Sequence, residues 1–203
     1  MNKMIITTLA ASVFVGLPAH AQNQILNGSF ESPSIPANTV SVSTPASWLG
    51  NSFIVNGDYS PGYPLPQVGQ QYVGLGNSSF VSQAFTIGSP GTYVLSWYDS
   101  TEYNFPNFSP YSVTVTDSLA NTVASANLDA DAHALRLWTQ RSIAMTLAPD
   151  TYTLRFQGNV AMFGESSLID NVSLVPEPTT LSLLFVAGLM LIGQRRLCYR
   201  DAA

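Results

Sequence analysis

The densest run of chemically capable side chains lies between Asp99 and Tyr111, in DSTEYNFPNFSPY. Tyr103, Phe105, Phe108 and Tyr111 are interleaved there with Glu102, Asn104 and Asn107. A second group follows Asp58, where Tyr59 and Tyr63 stand in a proline-rich stretch that runs to Pro66. Aromatic faces beside short polar groups suit a polyhydroxylated ligand. The rings form apolar walls, and the amides and carboxylates take the hydroxyls. The sequence therefore predicts a saccharide-binding lip built from Tyr59, Tyr63, Glu102, Tyr103, Asn104, Phe105, Asn107 and Phe108. The competing reading of the same aromatics is a cover that packs on the edge of the domain's own sheet.

Catalytic chemistry finds far less. His133 is the only histidine beyond residue 20, and no G-x-S-x-G element surrounds a serine. Glu102 and Glu165 stand in loops, and no pattern brings two carboxylates across a cleft. Asp129-Ala130-Asp131 lacks the glycine and the distal glutamate of an EF-hand loop and reads as a solvated turn. The one cysteine, Cys198, excludes an intramolecular disulfide or a multi-cysteine zinc site. No catalytic residue is assigned, and the expectation is that the protein is not an enzyme.

Composition narrows the class further. Of the 203 residues only 9% are charged, 46% are hydrophobic, and the net charge is −5. Such a chain can bury a core but offers no basic face to displace counterions from nucleic acid. Residues 22–174 hold three arginines (Arg136, Arg141, Arg155) against ten acids, and no lysine. That balance suits an extracellular module and disfavours anionic polymers unless a cation bridges the charges.

The elements that must position these groups read as strands. Period-two alternation of β-branched and aromatic residues marks Ser79–Ile87, Thr92–Ser100, Tyr111–Asp117, Thr122–Leu128, Thr139–Leu147, Thr151–Gln157 and Ser167–Leu174. Turn residues separate them, as in Gly88-Ser89-Pro90-Gly91. Trp97 alternates with Leu95 and Tyr93, which places it in the core, and Trp48 and Trp138 are read as core as well. No long helix interrupts the series. The fold class is all-β, an antiparallel jelly-roll sandwich. Ser32 to Gln67 should be mostly loop, with short strands near Trp48–Phe53.

Both ends lie outside this domain. Lys3, an apolar run from Ile5 to Leu17, and Ala19-His20-Ala21 form a secretory signal peptide, residues 1–21, cut by signal peptidase so that the mature chain begins at Gln22. At the other end Leu181 to Gly193 is apolar apart from Ser182, and Arg195 and Arg196 follow. Thirteen helical residues reach only ~20 Å, so length alone leaves a buried helix or a marginal span; the arginines favour a cytoplasmic stop. Val175, Pro176, Glu177 and Pro178, one apolar helix (180–194) and the Arg195-Arg196 pair resemble, in that order, the PEP-CTERM sorting signal of Gram-negative bacteria. The resemblance covers residues 175–197, with the basic tail running to 203. It implies an inner-membrane-anchored precursor, recognition by an exosortase, cleavage near Pro176–Pro178, and delivery to the cell surface or an exopolysaccharide matrix.

The domain between, residues 22–174, carries a second resemblance. It opens with Asn27-Gly28-Ser29-Phe30-Glu31 and ends with Ile169-Asp170-Asn171-Val172-Ser173-Leu174, with GTYVLSWY and DTYTLRF between. This looks like the galactose-binding-like jelly roll of carbohydrate-binding modules. It implies eight to ten strands, with the first and last side by side. It also implies a structural calcium where the terminal motifs meet, on Glu31 and Asp170. The alternative is that each acid caps a loop by accepting backbone N–H groups. Two functions stay open: a surface-delivered carbohydrate-binding protein with a polysaccharide ligand, or a structural or adhesive scaffold with no specific sugar site.

Overall fold

The computed structural model describes residues 22–101, 109–130, 137–159 and 166–177. The signal segment, the helix expected over 180–194, Pro178, Arg195, Arg196, His133, Glu165 and Cys198 lie outside the described residues. So do Glu102, Tyr103, Asn104, Phe105, Asn107 and Phe108. Among the described residues, no helix is long and apolar enough to cross a membrane. One compact unit, Ala21–Glu177, contains every strand.

Those strands are β1 (Thr39–Ser41), β2 (Leu49–Gly50), β3 (Phe53–Asn56), β4 (Gln71–Leu75), β5 (Phe80–Ile87), β6 (Gly91–Thr101), β7 (Ser109–Thr116), β8 (Thr122–Ala130), β9 (Thr139–Leu147), β10 (Asp150–Gly158) and β11 (Ser167–Pro176). They form two antiparallel sheets, in the orders β1-β3-β4-β11-β6-β9 and β2-β5-β10-β7-β8. All seven strands expected from alternation are present, each within two residues of its expected limits. The alternation is also correct in phase. Tyr93, Leu95 and Trp97 of β6 face Tyr152, Leu154 and Phe156 of β10 across the main core. Trp97 and Phe156 meet edge to face at 5.6 Å. Trp48 joins the same core, 5.3 Å from Phe30.

The expected adjacency of first and last strands takes a different form. β1 lies at the sheet edge, with β3 and β4 between it and β11. The neighbour of β11 is instead the irregular segment before it, where the Gln24 amide donates to the Leu174 carbonyl and the Val172 amide to the Gly28 carbonyl. A side chain supplies the partner on the other sheet. The Gln83 amide group accepts from the Leu26 N–H at 2.8 Å and donates to the Leu26 carbonyl at 2.9 Å. One buried glutamine thus does the pairing of a backbone strand, so residues 22–30 close the sandwich without becoming a strand. β11 also runs past the boundary drawn at residue 174. Val175 pairs with Val94, Pro176 with Tyr93, and the Glu177 amide donates to the Thr92 carbonyl at 2.9 Å.

Candidate functional site

The terminal motifs meet as expected, and each residue has a task. The Asn27 side chain donates to the carbonyls of Ser32 and Ala46 and accepts from the Ser32 amide. Phe30 is fully buried against Trp48. Glu31 Oε1 accepts the amides of Gln70 and Gln71, both at 2.9 Å. Asp170 Oδ2 accepts those of Gln67 and Val68 at 2.9 and 3.1 Å, and Oδ1 accepts that of Asn171 at 2.6 Å. The two carboxylates therefore hold the two halves of one turn. Burial pushes the Asp170 carboxyl up to about 7; the three amides pull it back, and Glu31 adds to the rise. The loop-capping role, the alternative to calcium, is present in full. For calcium itself the donor chemistry fits, since both acids offer hard oxygens at one corner. No group of three or more His, Cys, Asp or Glu side chains gathers among the described residues.

The roots of the Glu102–Phe108 loop are clamped. Thr101 Oγ1 and Ser109 Oγ lie 2.8 Å apart, and Ser167 Oγ donates to the Ser109 carbonyl at 2.9 Å. Beneath them the Trp97 indole N–H donates to the Tyr111 hydroxyl at 2.9 Å, and that hydroxyl donates to Asp99 Oδ2 at 2.6 Å. Arg141 Nε reaches the same oxygen at 2.9 Å. Burial, then Asp99, drive the Tyr111 phenol far above its usual range. This network ties β6, β7 and β9 across the two sheets. Tyr111 is fully buried and belongs to this core network.

Tyr59 and Tyr63 fall on the β3–β4 connection, residues 57–70, which lies over the outer face of the six-stranded sheet. A second apolar cluster sits there, with Val55, Tyr72 and Leu168 buried and Tyr63, Phe53, Val40 and Trp138 packed around them. The Tyr72 hydroxyl donates to the Pro64 carbonyl at 3.0 Å, and the Trp138 indole N–H to the Leu65 carbonyl at 2.7 Å. Tyr59 packs edge to face on Tyr63 at 5.4 Å and is 44% exposed. Tyr63 is thus the cover, and Tyr59 the ring left facing water. Trp138 is only half-buried in this outer cluster, not in the main core where the sequence reading put it. Ser167 of β11 pairs both Leu75 of β4 and Thr101 of β6, so Thr101 is level with the Leu75 end of β4, whereas the Tyr59–Tyr63 connection enters β4 at Gln71, its other end.

No family model matches the chain, and no curated protein does. Solved structures do match. A family 61 carbohydrate-binding module, solved in complex with β-1,4-galactotriose, aligns with a TM-score of 0.55 at 17% identity, covering 77% of this chain and 100% of the module. The chain has the fold of a carbohydrate-binding module. The arabinose-bound family 51 α-L-arabinofuranosidase MgGH51 aligns at TM-score 0.51 and 14% identity, over 78% of this chain but only 27% of the enzyme. The tandem CBM22 domains of Paenibacillus barcinonensis Xyn10C align at TM-score 0.51 and 12% identity, over 77% of this chain and 45% of the tandem. At these identities the likeness is one of fold, a sandwich of two antiparallel sheets.

Sequence reading missed two residues of this module fold. Gln71, 1% exposed, donates to the carbonyls of Phe30 and Pro33 and accepts from Ile35 and Asn56. Its strand is short and shows no alternation. Arg155 enters the sequence reading only as a charge, yet its guanidinium lies 3.7 Å from the centre of the Phe80 ring. The cross-strand diagonal that creates this contact appears only once the β5–β10 register is known.

Proposed function

We propose that the protein is an exported, non-catalytic carbohydrate-binding protein of the cell surface or extracellular matrix. The observation that carries this reading is the outer aromatic cluster. Chain segments some 75 residues apart bring Tyr59, Tyr63 and Trp138 to one sheet face, and Tyr59 stays partly exposed. A hydrophobic cover alone has no use for that exposed ring, whereas a sugar face stacks on it. The likeness to modules solved with bound oligosaccharide supports the same reading. Tyr103, Phe105 and Phe108, with Glu102, Asn104 and Asn107, are proposed as a second lip above the clamped loop roots. The scaffold reading, with no sugar site, predicts that none of these rings affects glycan binding.

A structural calcium ion on Glu31 and Asp170 is part of the proposal, because a divalent cation would offset the burial of Asp170 beside Glu31. Delivery is proposed through the signal peptide and the PEP-CTERM resemblance, with signal peptidase and an exosortase as processing partners. The test is a glycan panel against residues 22–177, with calcium and with chelator. Saturable binding that drops at least about tenfold in Tyr59→Ala, or in the Tyr103→Ala/Phe105→Ala pair, supports the reading. Binding absent in both buffers favours the scaffold.

A further inference from the structure

The outward faces of the two sheets differ. The six-stranded sheet is covered over β3, β4 and part of β11 by residues 57–70. The described residues form no second apolar cluster of this kind on the outer face of the five-stranded sheet. Its outward side chains on β5, β7 and β10 include no acid and are mostly short hydroxyl groups, several of them exposed. One cation stands among them. Arg155 lies on β10, the central strand, between Ser82 of β5 and Thr114 of β7.

The described residues hold two arginines, and they are used differently. Arg141 is spent on Asp99. Arg155 has no acidic partner among the described residues. Its guanidinium lies over the Phe80 ring, and its Nε donates to Gln157 Oε1 at 3.1 Å. The ring and the amide fix the fork in place, which lowers the entropy lost when it takes a ligand. A fixed guanidinium is shaped for a carboxylate, which it meets through two parallel N–H donors. The surrounding Thr114, Ser112 and Thr153 are half-buried or exposed and offer the donors and acceptors that sugar hydroxyls need; Ser82 is buried.

We propose that this face binds an extended polysaccharide bearing carboxylates, with a uronic acid residue seated on Arg155 and its neighbours along the hydroxyl rows. The site is separate from the aromatic one and differs in ligand charge. The acidic balance of the domain as a whole opposes an anionic polymer. The acids nearest this face, Asp117, Asp129 and Asp150, lie at strand ends or on the edge strand β8. At physiological salt a Debye length of about 8 Å screens charges beyond that range.

The test uses the unit 21–177, kept in chelator so that no divalent ion bridges the charges. A uronate oligomer and a neutral hexose oligomer of equal length are titrated by calorimetry. The expected result is saturable uronate binding that weakens with added salt and falls about tenfold in Arg155→Gln, while Tyr59→Ala leaves it unchanged. Arg155→Lys, which keeps charge but not the fork, should fall between. A melting curve confirms that each variant is folded; if Arg155→Gln is not, the lysine variant and the salt series decide. Equal binding of the neutral oligomer, no uronate binding at millimolar concentration, or loss in Tyr59→Ala would each overturn the proposal. The last result would also leave the aromatic site standing, so the two readings fail separately.

Discussion

Asp170 is a carboxylate that folding makes harder to ionise. Its carboxyl sits near 7 in the folded chain against 3.8 ordinarily, chiefly because it is buried. Between those values the unfolded chain releases the proton first, so rising pH favours unfolding. Its contribution to stability is therefore complete below about pH 3.8, declines as pH rises toward 7, and is level above. Asp170→Asn keeps an acceptor for the loop amides and removes the titration. Melting from pH 4.5 to 8 in chelator should show wild type losing stability relative to the variant up to about pH 7. Parallel curves would mean that Asp170 ionises freely. The Tyr111 hydroxyl links two buried groups, accepting from the Trp97 indole N–H and donating to Asp99. Tyr111→Phe leaves the Trp97 N–H without its acceptor and takes a donor from buried Asp99. The expected loss is about 1–3 kcal/mol in a urea titration. A change near zero would show that the rest of the Asp99–Arg141 network compensates.

At the scale of elements, the turn from Gln67 to Gln71 explains why both terminal motifs carry an acid. Gly69 stands between the amides held by Asp170 and those held by Glu31, at φ +69°. A Cβ there would collide with Glu31 Oε1. Gly69→Ala should cost about 1–3 kcal/mol by denaturant titration, and an unchanged midpoint would mean that Glu31 does not hold the turn. Strands with one wet face, such as β10 with Tyr152, Leu154 and Phe156 inward, could be read from the chain to within a residue or two. β4 could not. All five of its residues are buried, Tyr72 toward the outer cluster and Val73 toward the main core, so no alternation marks it. The N-terminal segment was legible as a neighbour of β11 but not as a non-strand, because its second partner is the side chain of Gln83. Of the expected site, the meeting of Glu31 and Asp170 was legible through the terminal motifs. The split of labour between Tyr59 and Tyr63 was not, since it depends on which ring the connection turns inward.

At the scale of the molecule, the folded unit shares residues with the segment that resembles a sorting signal. Val175 and Pro176 are the last positions of β11, and the Glu177 amide closes the ladder on Thr92. Proline is tolerated there because the strand is ending and its missing N–H falls at the last rung. Half of the motif that resembles a processing signal is therefore part of the sheet. A chain of residues 22–174 loses the Val175–Val94 and Pro176–Tyr93 pairs and the Glu177 hydrogen bond that 22–177 retains. It also leaves Thr92–Val94 of β6, an interior strand of its sheet, without a neighbour on that side. The shorter chain should be less stable by about 1–3 kcal/mol, a few net hydrogen bonds and their side-chain contacts, measured by urea unfolding of the two chains side by side. Equal midpoints would show that the fold ends at Leu174 and that the whole sorting motif is free of it. A deficit would mean that any cut on the N-terminal side of Glu177 weakens the folded domain, so that a stable fragment keeps Val175, Pro176 and Glu177.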